Sequence, residues 1–241
     1  MKKIFFLLMG LPCLSNAQIN NLYSVDRVFP KSGNVQSFEK GLVAHEQKYH
    51  KGSWAWDVYT IESGPDAGGY RIVEGPMSWD AFDHRGNLGE AHQADYNKMV
   101  LPNLVEPDKS TTSFILFRED LSTAKITDKA DKISINHIFP KPGYSDEMED
   151  AIKKLKKAWA AGGATIAVYE VSGSGAPQWL IVNIYKQGLK EREVGFRKPF
   201  KDRFNSENGE GSWIAYQQSL RSMLDHSWSE ILFYHHELSS K

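Results

Sequence analysis

The sequence predicts an α+β fold built from two tandem β-α-β-β-α-β repeats whose sheets pack on one another. The first observation behind this is a self-match. Residues 25–33 read V-D-R-V-F-P-K-S-G, and residues 135–143 read I-N-H-I-F-P-K-P-G. The register then holds without a gap: Phe38 and Glu39 correspond to Met148 and Glu149, Leu42 to Ile152, Gly52 to Gly162, and Val58-Tyr59 to Val168-Tyr169. One fixed spacing means two copies of one unit. The second observation is that both copies run through the same series of periodicities, two-residue then helical. The third is that the only cysteine, Cys13, lies in an N-terminal apolar run. The remainder has no disulfide, so each copy must be stabilised by a hydrophobic core, and about 100 residues suffice for one.

Each element follows from its pattern. In the first strand Tyr23, Val25, Arg27 and Phe29 alternate with Ser24, Asp26 and Val28; in the second copy Ile133, Ile135, His137 and Phe139 alternate with Ser134, Asn136 and Ile138. Pro-Lys-x-Gly ends each strand. A helix follows, carried by Val35, Phe38 and Leu42 in one copy and by Met148, Ile152, Leu155 and Trp159 in the other. Ser145 suits its N-cap, and Gly52 and Gly162-Gly163 suit the helix ends. Two strands come next, 54–61 with 70–74 and 165–171 with 179–185, joined by the turns S-G-P-D-A-G-G and S-G-S-G-A-P. A longer helical stretch (79–100; 191–225, with a Gly-rich break at 208–211) and a last strand (114–117; 231–234) complete each copy. This order is the ferredoxin-like split βαβ unit. Its sheet carries helices on one face, so two fused copies are expected to cover each other's open faces.

The domain plan expected is a signal peptide over 1–17, a first repeat over 18–122, a polar linker over 123–132 and a second repeat over 133–241. Lys2-Lys3, the apolar run 4–14 and Ser15-Asn16-Ala17 carry the first of these, with cleavage before Gln18 and export to the periplasm or the outside of the cell. Lysine and arginine number 29 against 30 acidic residues, and no basic tract stands out. The footprint of a nucleic-acid partner is therefore missing. No segment is long and apolar enough for a membrane span.

In V-x-x-x-F-P-K-x-G, the W-x-V-Y and A-V-Y strands and the duplicated element order, the chain resembles the dimeric α/β-barrel superfamily. That group includes antibiotic-biosynthesis-type monooxygenases, haem-degrading relatives and NIPSNAP-like proteins. The resemblance implies a pseudo-dimer within one chain and a cavity between two sheets. It also implies, as one reading of function, monooxygenase-like chemistry on an aromatic or haem-like substrate. Haem-degrading relatives use an Asn, a Trp and a His; Asn136, Trp56 and His137 offer those types, but Asn136 and His137 are adjacent on a strand and face opposite ways.

Candidate ligand-binding residues follow from the expected barrel interior. Leu180, Val182 and Ile184 are uniformly apolar and are expected under the helices. This turns Trp179, Asn183 and Tyr185 toward the opposite sheet. Arg27 and His137 occupy equivalent positions of the two first strands, where a charged or titratable group suits a polar or anionic ligand; the competing reading pairs them with a neighbouring carboxylate. Trp54 and Trp56 share a strand face and are the aromatic pair expected to meet a planar ligand. The preferred reading is an exported protein that binds a small apolar or aromatic molecule between the sheets, with no catalytic residue assigned. A third reading, an interaction module, requires an exposed apolar patch. No cofactor and no metal ligand set is expected. His235 and His236 point to opposite faces of a strand, and His84 and His92 lack ligand spacing on their helix. His45, Glu46 and His50 have no counterpart in the second repeat, where Lys153 to Lys157 stand, so a site there would belong to one copy only. Any site is expected where the copies disagree, as at Arg27/His137 and Trp56/Ile166.

Overall fold

The computed structural model describes residues 19–85, 88–105 and 111–241. The expected signal peptide lies outside them. The first repeat runs β1 (Leu22–Val28), α1 (Val35–Tyr49), β2 (Trp56–Ile61), β3 (Tyr70–Met77), α2 (Trp79–Arg85), α3 (Glu90–Met99) and β4 (Thr111–Phe117). The second runs β5 (Lys132–Pro140), α4 (Ser145–Ala161), β6 (Ile166–Ser172), β7 (Trp179–Ile184), α5 (Phe200–Asn208), α6 (Ser212–Met223) and β8 (Leu224–Tyr234).

The eight strands form one closed barrel in the order β1-β3-β2-β8-β5-β7-β6-β4. Each repeat contributes a ferredoxin-like sheet with its first strand inside and its last strand at one edge. Those edges are joined antiparallel: Tyr59, Thr60 and Ile61 pair with Tyr234, Phe233 and Leu232, and Phe114 to Phe117 pair with Ser172 to Tyr169. Closure leaves no unpaired strand edge, which removes the main route by which sheets aggregate. The second repeat therefore does for the first what a partner subunit would do.

Side chains fill the barrel interior, as they must in an eight-stranded barrel. Tyr23, Val25, Tyr59, Ile115, Ile135, Val182 and Leu232 belong to this inner core. Two outer cores lie under the helices. Phe38, Leu42, Trp56, Val58 and Ile72 form one, and Met148, Ile152, Trp159, Trp179 and Phe204 the other.

This layering reverses the expected faces of β7. Leu180, Val182 and Ile184 point into the barrel, while Trp179 and Ile181 pack under α4. Asn183 lies on the outer face with them. Tyr185 follows β7 and its hydroxyl meets Ser134 Oγ at 2.7 Å. The physical reason is that β7 is buried on both faces, so its apolar alternation carries no sign of inside or outside. Trp56 likewise lies outside the barrel, in the first outer core. Trp54 is half-buried in a 3-10 turn (Gly52–Trp54), with the Arg85 guanidinium 5.3 Å from its ring.

Three further expectations change. The second helical stretch of the first repeat is two helices, α2 and α3, while that of the second divides at the expected Gly-rich break, where Gly211, with φ 78°, sets the left-handed step from which α6 starts. Ser145 is the first helical residue, preceded by Tyr144 at the cap, with no side-chain capping bond. Strand β8 begins at Leu224, seven residues earlier than its apolar pattern implies. Its polar first half pairs with β5 from Pro140 to Ile135, and that pairing, invisible in hydropathy, brings Trp228 and Glu230 to the barrel.

Candidate metal centre and barrel mouth

Three histidines that the sequence scatters meet on the outer side of the first repeat. His45 lies on α1, His50 at its C-cap and His92 on α3. The approach of α1 to α3 depends on Gly41, where an added Cβ would collide with the Met99 carbonyl. One turn beyond Gly41, His45 reaches across the same seam. His50 stacks on Trp56 of β2, ring centroids 3.5 Å apart and planes 25° apart. Its position is thus set by the sheet rather than by the helix end alone.

The proton arrangement is defined by carboxylates. Nδ1 of His45 donates to Asp95 Oδ2 at 2.9 Å, and Nδ1 of His50 donates to Glu74 Oε2 at 3.2 Å. A carboxylate only accepts, so each ring carries its proton on Nδ1 and presents the Nε2 lone pair. Both lone pairs aim at His92 Nε2, which lies 3.1 Å from His45 Nε2 and 3.2 Å from His50 Nε2. One proton on His92 cannot satisfy both, and its Nδ1 is buried with no partner among the described residues. A metal ion would resolve the conflict. Imidazole nitrogens bind zinc at about 2.0–2.1 Å, which places two tetrahedral donors about 3.3 Å apart. The three donor atoms lie within 4.8 Å of one another.

The outer shell is equally specific. Glu74 Oε2 also accepts from Trp56 Nε1 at 3.0 Å and from the Arg85 guanidinium at 2.8 Å. Asp95 is shared with Lys48, whose hydrogen bond, followed by that of His45, holds its carboxyl below the usual range. Carboxylate-held histidines of this kind are the ordinary second shell of metal sites. Burial, and then the neighbouring His45 and His50, push His92 down to about 4; burial lowers His45 as well. Both rings are therefore neutral ligands at pH 7.

Beside His92 lies a pocket of about 270 Å³, floored by Asp26, Trp56 and Ile72 and flanked by Tyr96 and Thr112. His45 and His50 are fully buried, so this pocket is the open side of the centre. Burial raises the Asp26 carboxyl, against the lowering effect of the hydrogen bond from Thr112. Asp26 is thus protonated more readily than a free aspartate.

Two predictions arise here. Gly41→Ala is expected to push α1 off α3, costing about 1–3 kcal/mol by overpacking and weakening metal binding with it; denaturant unfolding with and without added metal measures both. Unfolded histidine titrates near 6.5. With His92 lowered to about 4, the unfolded chain takes up protons first. Stability is then complete above pH 6.5 and is lost as pH falls toward 4. Unfolding midpoints measured from pH 7.5 to 4.5 should fall, and His92→Gln should flatten part of that fall.

Arg27 and His137, the equivalent residues of the two repeats, meet at one end of the barrel interior. Arg27 donates to Asp66 Oδ2 at 2.7 Å and to both oxygens of Glu230. His137 Nε2 lies 2.9 Å from Glu230 Oε1, Gln178 Nε2 lies 2.7 Å from its Nδ1, and Trp228 stacks on its ring at 3.6 Å. Burial alone would raise Glu230, but the hydrogen bonds from His137 and Arg27 hold it down at about 2. Their polar capacity is largely spent on one another. The cavity deeper between the sheets measures about 60 Å³. That is room for a few waters.

The sequence makes Arg27 and His137 equivalent without bringing them into contact, and leaves the three histidines apart. The available signal was the absence of His45 and His50 from the second repeat; His92, eight residues from His84 on a polar stretch, gave none.

No protein-family model matches this chain, and no curated protein does. Solved structures match in fold. One is a monooxygenase candidate from Lactobacillus acidophilus NCFM, at TM-score 0.51 and 10% identity over 90% of this chain and 94% of that one. Another, from Fusobacterium nucleatum, has TM-score 0.54 and 14% identity over 88% and 91%. The chain has the dimeric α/β-barrel fold, with both halves of the barrel on one polypeptide.

Proposed function

We propose that the chain is a metal-dependent enzyme of the oxygenase kind, holding one transition-metal ion on His45, His50 and His92. The observation that carries this is the convergence of three Nε2 atoms, two with their tautomers set by Asp95 and Glu74. An all-imidazole set suits zinc, copper, iron or nickel. Iron and copper bring oxygen chemistry, and that is the chemistry named for the two solved neighbours. The pocket beside His92, at about 270 Å³, falls below the ~300–1,000 Å³ of drug-sized ligand sites. It favours a small substrate over haem. Asp26 is the proton-handling group in this reading, and Trp56 and Tyr96 supply apolar walls.

A small apolar or aromatic ligand held deep between the sheets is less well supported, because the inner space there is about 60 Å³. Export through residues 1–17 belongs to the proposal, and the secreted chain would then begin at Gln18. Metal analysis of the chain purified without chelator tests the main reading. One iron or copper per chain is expected, with oxygen uptake that chelation abolishes and the same metal restores. A chain that retains neither iron nor copper after loading with each overturns the oxygenase assignment.

A further inference from the structure

Arg71 is a largely buried cation with no protein partner among the described residues. It lies on β3, paired across to Arg27 of β1 and Tyr59 of β2, with its side chain on the interior face of the barrel. It is 5% exposed. Among the described residues, none makes a hydrogen bond or ion pair with its guanidinium. The nearby carboxylates, Asp66 and Glu230, are both taken by Arg27. A guanidinium carries five N–H donors, and those of Arg71 open onto the spaces it lines instead of onto protein acceptors. Burial and the adjacent Arg27 accordingly lower its pKa.

The framework does not need this residue. Arg71 stands opposite Arg27 in β1–β3; in the second repeat the residue opposite His137 is Leu180. The same position of the same fold is thus filled by leucine in one copy and by an unpaired arginine in the other.

Arg71 also sits between two spaces. It lines the 60 Å³ interior cavity together with Tyr59 and Tyr169, whose hydroxyls have no hydrogen-bond partner among the described residues, and with Asp57 and Asp128, whose carboxylates are held by Lys129 and Lys186. It lines the open barrel mouth too, a space of about 560 Å³ with Val25, Leu180 and Phe114 among its walls and Ser113 and Gln178 at its polar edge. Burial raises Tyr169 to about 12 and Tyr59 further, so both keep their protons and can donate.

We propose that Arg71, Tyr59 and Tyr169 form an anion site at the base of the barrel mouth, taking the carboxylate of a small organic acid whose apolar body stays in the mouth. The inner cavity admits a carboxylate head and nothing larger, while the mouth offers the apolar walls. This site is independent of the histidine centre, which lies outside the barrel.

The test is a thermal-shift and calorimetric titration of the full chain with benzoate, benzyl alcohol, acetate and chloride. Benzoate should raise the melting temperature and bind saturably; benzyl alcohol, with the same ring and no charge, should not. Arg71→Leu should weaken benzoate at least tenfold and leave the anion-free melting temperature equal to or above that of the parent. Arg71→Gln should weaken benzoate likewise, which keeps the test open if the leucine variant folds poorly. Equal responses to benzoate and benzyl alcohol, or undiminished benzoate binding by both variants, would overturn the site. Acetate or chloride binding as tightly as benzoate overturns the organic-acid assignment. A lower anion-free melting temperature in both variants makes Arg71 a structural residue and overturns the proposal as well.

Discussion

Replacing Glu230 with alanine is expected to destabilise the barrel by about 3–5 kcal/mol, the usual cost of removing one partner from a buried ion pair. Its side chain is fully buried and holds Arg27 and His137 at once. Without it, Arg27 keeps only the half-exposed Asp66, and His137 loses the acceptor for its Nε2 proton. Each of the three belongs to a different strand, β8, β1 and β5, so the loss is felt across both repeats. For a chain of this size each kcal/mol is worth about 2–4 °C, which puts the fall in melting temperature near 6–20 °C. Glu230→Gln keeps the volume and one acceptor and should cost less. Urea unfolding monitored by tryptophan fluorescence gives both values. A loss under about 1 kcal/mol for Glu230→Ala would mean the cluster is solvated and the barrel end is open.

Adding a transition metal is expected to stabilise the chain by about 4 kcal/mol when the free ion stands a thousandfold above its dissociation constant. His50→Ala should abolish that gain. Glu74→Gln should leave binding in place and weaken it about 10–100-fold, the usual effect of losing an outer-shell carboxylate. The two substitutions separate ligand from support. Glu74 touches His50, Trp56 and Arg85 but lies beyond hydrogen-bond reach of the other two histidines, so its loss loosens one ligand of three. Melting curves at increasing zinc and cobalt concentration measure the series. Equal stabilisation of the parent and His50→Ala would place the metal elsewhere.

The duplication, the strand order and the tandem barrel were legible because they rest on repeated periodicities: Phe29/Phe139, Pro30/Pro140 and Tyr59/Tyr169 recur at one spacing. The inner and outer faces of β7 were not, because burial on both sides erases the two-residue alternation that tells them apart. The first half of β8 carries no strand pattern because Asp225, His226, Ser227 and Ser229 are polar and exposed, and only pairing with β5 makes them a strand. The meeting of Arg27 and His137 was half legible: their equivalence was plain, but Glu230 lay in the unread half of β8. The histidine centre was hidden for a different reason. Its three histidines come from the middle of one helix, the end of that helix and a second helix, and they converge through the close approach at Gly41, which no local pattern encodes. His45, His50 and Trp56 all lack equivalents in the second repeat, and the three rings meet on the outer side of the first.

The most direct measurement of the central claim is a cobalt(II) titration of the chain followed by visible absorption, run beside His92→Ala. The three-histidine centre predicts ligand-field bands that grow linearly and saturate at one cobalt per chain, and that are lost in the variant. Absorption that never saturates, or an identical titration of parent and variant, would contradict it.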